Sequence, residues 1–328
     1  MARTRHEEPL FLDWPLMTME AIDALDRENT VVLVTSSPLE AHGPHLPVNT
    51  DIASSEGILL RVAELLRERH PRMQILKLPP VYVAADVLPH VGSLMFRQST
   101  ITRVFEDMGR SLCKQGFRKI WVAGFHGGPR HFVPIEVAAE RVNRKHGGQM
   151  LSVFALLMSW LTGGRTDLPE ILGGVEGITP DDLRGDSHAG AVETSIMLHL
   201  LGEHVDPIFR ELPPETVDLW LQRTGRPPVV DVADRPSFPE LMKAFLAKLK
   251  FYEAVTYAGQ PALSSPELGE RFIDVLAHHC ADALDEVWSG QRAARDCHSP
   301  VWKARWIFTS RRLSDVVERS LRYRSKVW

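Results

Sequence analysis

The chain has 328 residues, 44% hydrophobic and 24% charged, with a formal net charge of −4. That is the composition of one large or two ordinary globular domains, and it gives no general case for nucleic acid as a partner. Three widely spaced cysteines, Cys113, Cys280 and Cys297, form no CxxC pair, which argues against a disulfide framework or a thiolate zinc site and points to a reducing compartment. The N-terminus has charges but no apolar core segment, and no run approaches the ~20 apolar residues of a membrane helix. A cytoplasmic protein without membrane contact is expected.

Residues 1–15 read as an arm. Thr18 to Arg27 reads as a short helix capped by Thr18, with Met19, Ile22 and Leu25 on one face. Val31 to Val34 is a β-branched apolar run that suits a strand buried on both faces. It breaks into a loop carrying Glu40, His42, His45 and Asp51 among Pro38, Gly43, Pro44 and Pro47. Open α/β sheets place their chemistry where a buried strand ends in such a loop. Glu40 and His42 are two apart, so on an extended segment both side chains point the same way. Imidazole and carboxylate together suit a divalent transition metal such as Zn, Fe or Mn. The competing reading is a polar surface loop. Asp51 opens a helical repeat of Ile58, Leu59, Val62, Leu65 and Leu66, so it reads either as an N-cap or as a ligand.

Ile75 to Leu78 is a second strand, ended by Pro79-Pro80, and the loop from Val81 to Gly92 carries Asp86 and His90. Thr100 to Gln115 reads as a helix. Ile120 to Phe125 reads as another buried strand, with His126-Gly127-Gly128-Pro129 at its carboxyl end. A βαβ crossover makes the two strands parallel, so His126 should face the same crevice as Glu40 and His42. A lone histidine after a strand is commonly structural; the parallel placement is what raises this one.

Phe132 to His146 is the next helix and Leu151 to Leu157 the next expected strand. Thr162 to Arg184, rich in Gly, Pro and Asp, is expected to be a long loop or lid. Gly185 to Ser195 runs into a helix. Glu193 near its first turn reads either as a surface carboxylate favoured by the helix dipole or, given its Ala, Val, Ile and Met neighbours, as a group neutralised by a cation. Residues 203–250 are irregular and then helical. Pro266 to Trp288 is a long amphipathic helix, and from Ser289 the chain turns basic and aromatic.

Four segments resemble the signatures of the creatininase-type amidohydrolases. They are LEAHGPHLPVNTD (39–51), GFHGG (124–128), DSHAGAVETSIML (186–198) and YAGQPALSSPELGE (257–270). They stand in the family's order and span roughly residues 12–290, and several independent motifs agreeing make the resemblance specific. It implies a three-layer α/β/α sandwich with a mostly parallel central sheet, as a 1–290 amidohydrolase domain followed by a 291–328 extension. It implies one or two divalent ions (Zn, Mn or Fe), hydrolysis of a C–N amide bond of a small molecule by metal-activated water, and homo-oligomers, often hexameric. Carried over by residue, the metal set is Glu40, His42, Asp51, His126 and Glu193, with Asp51 bridging if two ions bind. Glu193 and His188 form the expected catalytic pair, His188 as general acid, because an imidazole titrates near working pH. The structural alternative for His188 is a capping or core histidine.

The departures concern the pocket. Phe125 and Pro129 stand where the family has asparagines, Asp86-Val87 where it often has an acid–His pair, and Arg184 where creatininase places a tryptophan. Gly128 stands where creatininase itself takes a ligand glutamate, which leaves Glu193 to supply the carboxylate. Arg130 and Arg184 are expected near the site, where they would favour an anionic group. Two rival readings are a peptidase that trims a modified peptide and a non-catalytic scaffold. The tail is expected to be ordered, because Trp302, Trp306, Phe308, Tyr323 and Trp328 oppose disorder. Trp302 and Trp306 would share one helical face; Leu313, Val316, Val317 and Leu321 would form another stripe.

Overall fold

In the computed structural model, residues 9–163, 171–225 and 238–328 are described. Part of the expected lid, residues 164–170, therefore lies outside them.

Five strands form one parallel sheet in the order β1-β3-β2-β4-β5. They are β1 (Leu12–Asp13), β2 (Thr30–Thr35), β3 (Gln74–Lys77), β4 (Lys119–Ala123) and β5 (Gln149–Ser152). Every residue of β2 is buried, as a central parallel strand covered on both faces must be. The period-two alternation sorts the strands into two cores. Val31, Leu33, Ile75, Trp121 and Leu151 point to one side; Val32, Val34, Leu76, Ile120 and Met150 point to the other.

On the first side lie α2 (Thr50–Arg69), α5 (Val153–Gly163), α6 (Ala191–Leu201) and the long α9 (Pro266–Trp288). On the second lie α3 (Gln98–Lys114) and α4 (Pro129–His146). Short α1 (Met19–Asp23) is capped by Thr18, whose hydroxyl accepts the Ala21 N–H. The helices α7 (Val217–Arg223) and α8 (Phe238–Ala254) belong to the segment before α9. This is the three-layer α/β/α arrangement. Each fully buried Val, Leu or Ile along it contributes about 1.5–3 kcal/mol. Among the described residues no helix is long and apolar enough to cross a membrane.

Three readings change. The expected arm contains β1, an edge strand of two residues, too short to show a period. The expected strand 151–157 stops at Ser152, and α5 starts at Val153. The Ser152 hydroxyl accepts the Ala155 N–H there. A short apolar run has no period that separates buried strand from buried helix, and this local bond decides it.

The tail is the third. It folds into α10 (Arg305–Thr309) and α11 (Arg311–Ser320), and Phe308 packs with Phe132 and Val133 of α4. Trp302 lies in a 3₁₀ turn stacked on His298 at 3.8 Å, while Trp306 is largely exposed. On α11 it is Ser314 that is buried, accepting from Gln98 Nε2 at 3.0 Å, while Val316 faces outward. Each stripe is thus split: Trp306 and Val316 face outward, while Trp302, Leu313, Val317 and Leu321 are half-buried.

Candidate metal centre

Four chain segments converge at the carboxyl ends of β2 and β4. The loop after β2 brings Glu40 and His42, and the first turn of α2 brings Asp51. The loop after β4 brings His126, and the first turn of α6 brings Glu193. Asn49, not Asp51, occupies the cap position of α2, so the capping role falls away for Asp51. Gly124 is needed to set His126, because a Cβ there would stand 2.0 Å from the Ser36 carbonyl oxygen of the neighbouring strand end.

Asp51 lies between two groups of donors. Its Oδ1 is 3.6 Å from His42 Nε2, which is also 3.6 Å from Glu193 Oε2. Its Oδ2 is 3.6 Å from His126 Nδ1, which is 3.2 Å from Glu40 Oε2. The structure therefore brings together all five residues expected from the sequence. The sets Glu40–Asp51–His126 and His42–Asp51–Glu193 each have the spacing to share an ion. Glu40, His42 and Asp51 are deeply buried, and Glu193 reaches the mouth with its side chain 26% exposed.

The fit to a cation rests on polar atoms that nothing else satisfies. Glu40 Oε2, His42 Nε2 and Asp51 Oδ2 are buried without a hydrogen-bond partner, an arrangement that is costly unless a positive charge completes it. Other atoms of the ligand set are held by backbone groups. His42 Nδ1 donates to the Glu40 carbonyl at 3.0 Å, and His126 Nε2 donates to the Ala85 carbonyl at 3.1 Å. Glu40 Oε1 accepts the Leu88 N–H at 2.6 Å. Glu193 Oε2 accepts the N–H of Ala189, a residue held in the left-handed region at φ 48°. The first three bonds fix the His42 and His126 tautomers and turn the free atoms of His42, His126 and Glu40 inward, as outer partners of metal ligands do, whereas Ala189 holds Glu193 by the same oxygen that faces His42. The donors are nitrogen and oxygen with no thiolate, a set suited to Zn, Mn or Fe.

Without a cation the site holds protons instead. Burial works to depress both His42 and His126, but adjacent carboxylates outweigh it. Asp51, Glu193 and Glu40 push His42 up to about 10. Glu40 and Asp51 push His126 up to about 9.

His188 lies against this cluster. Its ring stacks on His42 with centroids 4.1 Å apart, and Nε2 donates to the Ala41 carbonyl at 3.0 Å. Burial, then the neighbouring His42 charge, hold it down at about 4, so it is neutral at pH 7. Three other histidines serve as supports. His45 bonds Thr194 at 2.8 Å, His131 bonds the Ser36 carbonyl behind the His126 ring, and His90 bonds the Tyr252 carbonyl.

The two arginines expected at the site lie in different settings. Arg184 is exposed and paired with Asp181. Arg130 is buried and occupied on both edges, by Asp86 and by Glu318. Gly128 carries no ligand because a Cβ there would stand 2.4 Å from Asp86 Cβ and 2.6 Å from His126 Nε2.

Some residues of the site had no signal in the sequence. Tyr252 of α8 sets its ring 5.5 Å from His188 and bonds Ser187 Oγ at 3.0 Å. Asp186 accepts the Ala191 N–H at the start of α6, and burial pushes it up to about 7. Its neighbours Gly190 and Gly259 leave room for that carboxylate.

Comparison with known proteins agrees with this geometry. A 24% identical relative over 265 residues is the mycofactocin precursor peptide peptidase of Mycolicibacterium smegmatis, with 80% of this chain and 87% of that one covered. Among solved structures, "Creatininase Mn" superposes with a TM-score of 0.59 at 21% identity, covering 85% of this chain and 99% of that one. A mutant creatininase of Zn-Zn type superposes at 0.57 with 18% identity, covering 86% and 99%. The creatininase family model, described as creatinine amidohydrolase, matches residues 15–284; the chain belongs to the creatininase family of amidohydrolases.

Proposed function

We propose that this protein hydrolyses a C–N amide bond of a small cyclic or linear substrate at a divalent-metal centre held by Glu40, His42, Asp51, His126 and Glu193. The observation that carries this reading is the set of buried, unpartnered atoms on Glu40, His42 and Asp51. Asp51 turns one oxygen to each half of the cluster, which favours a two-ion site with Asp51 as the bridge. Manganese and zinc are the first ions to test, since the related folds are a creatininase named with Mn and one of Zn-Zn type. A divalent ion there supplies Lewis acidity and brings the pKa of water down toward ~7.

The chain's own residues handle orientation and protons. His188 is fixed by the Ala41 carbonyl through Nε2, which leaves Nδ1 for proton transfer. A group that protonates the leaving nitrogen must be resupplied with a proton in each turnover. His188 Nδ1 therefore accepts the proton of the attacking water and passes it to the leaving nitrogen. This refines the expected general acid into a shuttle. Glu193, at the mouth beside His42, is both a ligand and the carboxylate that substrate meets first. Tyr252 and Ser187 border His188 and contribute to the substrate wall. Arg130 is engaged by Asp86 and Glu318, so it does not recognise an anionic substrate.

A peptide substrate is the second reading, and the 24% identical peptidase relative is what favours it. The test is elemental analysis of the purified protein, then mass spectrometry of products after incubation with creatinine, other small amides and short peptides. Release of new amine and carboxylate pairs from the small amides, lost in Asp51→Asn, supports the proposal. Cleavage of peptides alone favours the second reading, and no cleavage at full metal loading returns the scaffold reading. Homo-oligomeric assembly and a reducing, cytoplasmic location complete the proposal; the latter is supported by three buried free cysteines.

A further inference from the structure

The tail beyond residue 284 lies outside the family match, yet its contacts run to the loop that orients the metal site. Residues 84–90 supply two backbone groups to the cluster, the Leu88 N–H to Glu40 and the Ala85 carbonyl to His126. The loop has no helix or strand to hold it. Asp86 at its centre is in the left-handed region at φ 64°, a conformation that surroundings must impose.

The imposing group is Arg130. Its backbone N–H and its Nε both donate to the Asp86 carboxylate. Its Nη1 donates to Glu318 Oε1 of α11 at 2.7 Å. The guanidinium is 7% exposed, Asp86 6% and Glu318 18%. A charge withdrawn from water to this extent needs partners on each edge, and removing one leaves the others poorly compensated. The tail touches the loop a second time, where the Lys326 N–H donates to the Pro89 carbonyl at 3.0 Å.

The tail is built to hold these two contacts. Ser310 caps α11 through the Leu313 N–H. The helix ends with Arg322 at φ 49°, Tyr323 N–H to the Glu318 carbonyl and Arg322 N–H to the Arg319 carbonyl, which is a Schellman reversal. The reversal sends Ser325 to Trp328 back along the loop, and Arg97 and Arg311 flank the Trp328 ring at 5.5 and 5.0 Å.

We propose that residues 311–328 clamp the loop 84–90 and that Glu318, through Arg130 and Asp86, is a positioning residue for Glu40 and His126. The proposal rests on the metal-centre reading above. It is tested on the full-length protein with Glu318→Ala, Glu318→Asp and the exposed control Arg319→Ala. Zinc affinity of the metal-free proteins is measured against a chelator, and amide hydrogen exchange is followed at residues 85–88. Glu318→Ala should weaken zinc binding by more than about twofold, less than the ~10–100-fold of losing a group bonded directly to a ligand, and speed exchange at Leu88. Glu318→Asp should recover part of both, and Arg319→Ala should match wild type. Should Glu318→Ala not fold, Glu318→Gln, which keeps shape and one acceptor, carries the same comparison. Zinc affinity within about twofold of wild type together with unchanged exchange overturns the clamp and leaves the metal site standing. If wild type itself binds neither zinc, manganese nor iron(II), the metal-centre reading fails, and exchange at residues 85–88 alone still decides whether the tail holds the loop.

Discussion

The His188 ring lies stacked on the His42 ring at 4.1 Å, with an interplanar angle of 30°. One histidine is pushed up and the other down, so neighbouring imidazoles are set for different tasks. His188→Ala should therefore lower kcat by ~10²–10⁴-fold with bound metal retained. Glu40, His42 and His188 also lie close enough to share an ion. Stoichiometric metal loss in the alanine variant would make His188 a ligand rather than a proton shuttle.

Asp51 offers a sharper test because its two oxygens serve separate halves of the cluster. Asp51→Asn should abolish activity and lower metal content while far-UV circular dichroism stays that of wild type. Since Asn49 holds the cap position, the exchange costs helix α2 no more than the ~0.3–1 kcal/mol of a first-turn charge. Full metal content in the variant would remove Asp51 from the site.

Metal uptake should be steeply pH-dependent. In the metal-free protein His42 titrates near 10 and His126 near 9, against an ordinary value of 6.5. Both are protonated at pH 7, and ligation requires neutral imidazoles. Binding at pH 7 should thus release about two protons, and affinity should climb until pH passes 9–10. The same shifts bear on stability. A raised folded pKa stabilises the native state below the unfolded value and loses that contribution as pH rises through the folded value. Chelated protein should therefore melt lower at pH 10 than at pH 7 from these two groups, and metal-loaded protein should lack that component. Calorimetry in two buffers of different ionisation enthalpy counts the protons; a count near zero contradicts this account.

How much of this was legible follows from which groups carry it. Glu40 and His42 were readable because a period-two pair follows a buried strand. His126 was readable because parallel strands share a carboxyl end. Glu193 stands among apolar residues, which leaves a surface carboxylate and a neutralised one both open, and its place in the ligand set comes from the resemblance of HAGAVETSIML to the family motif. The supports of the site were not, since the Ala85, Ala41 and Glu40 carbonyls and the Leu88 and Ala189 amides are backbone groups with no residue signature. Arg130 and Arg184 were placed by chain proximity alone, and long side chains turn to whichever carboxylate is near. On α11, polar Ser314 and Glu318 make the hydrogen-bonded inward contacts, which the aliphatic stripe does not indicate.

Gly128 stands where the sequence resemblance leads one to expect a carboxylate, and the structure leaves no room for one. Asp86 must reach the Arg130 backbone N–H and its guanidinium, which brings Asp86 Cβ to 2.4 Å from any Cβ at position 128. On the other side, His126 Nε2 would stand at 2.6 Å, and that nitrogen is the one bonded to Ala85. Neither neighbour is a free chain end that can swing away, because each is held by a second bond. Gly128→Ala should lower unfolding stability of the metal-free protein by about 1–3 kcal/mol, as overpacking of a tight site does. It should also weaken metal binding, because the displaced His126 ring loses its alignment. Gly128→Glu, which restores a carboxylate by sequence, should be worse on both counts and gain no metal. Urea titration and zinc competition measure the two effects. A Gly128→Glu protein that folds as wild type and binds metal more tightly would show that the loop 84–90 yields, and that the glycine is not sterically required.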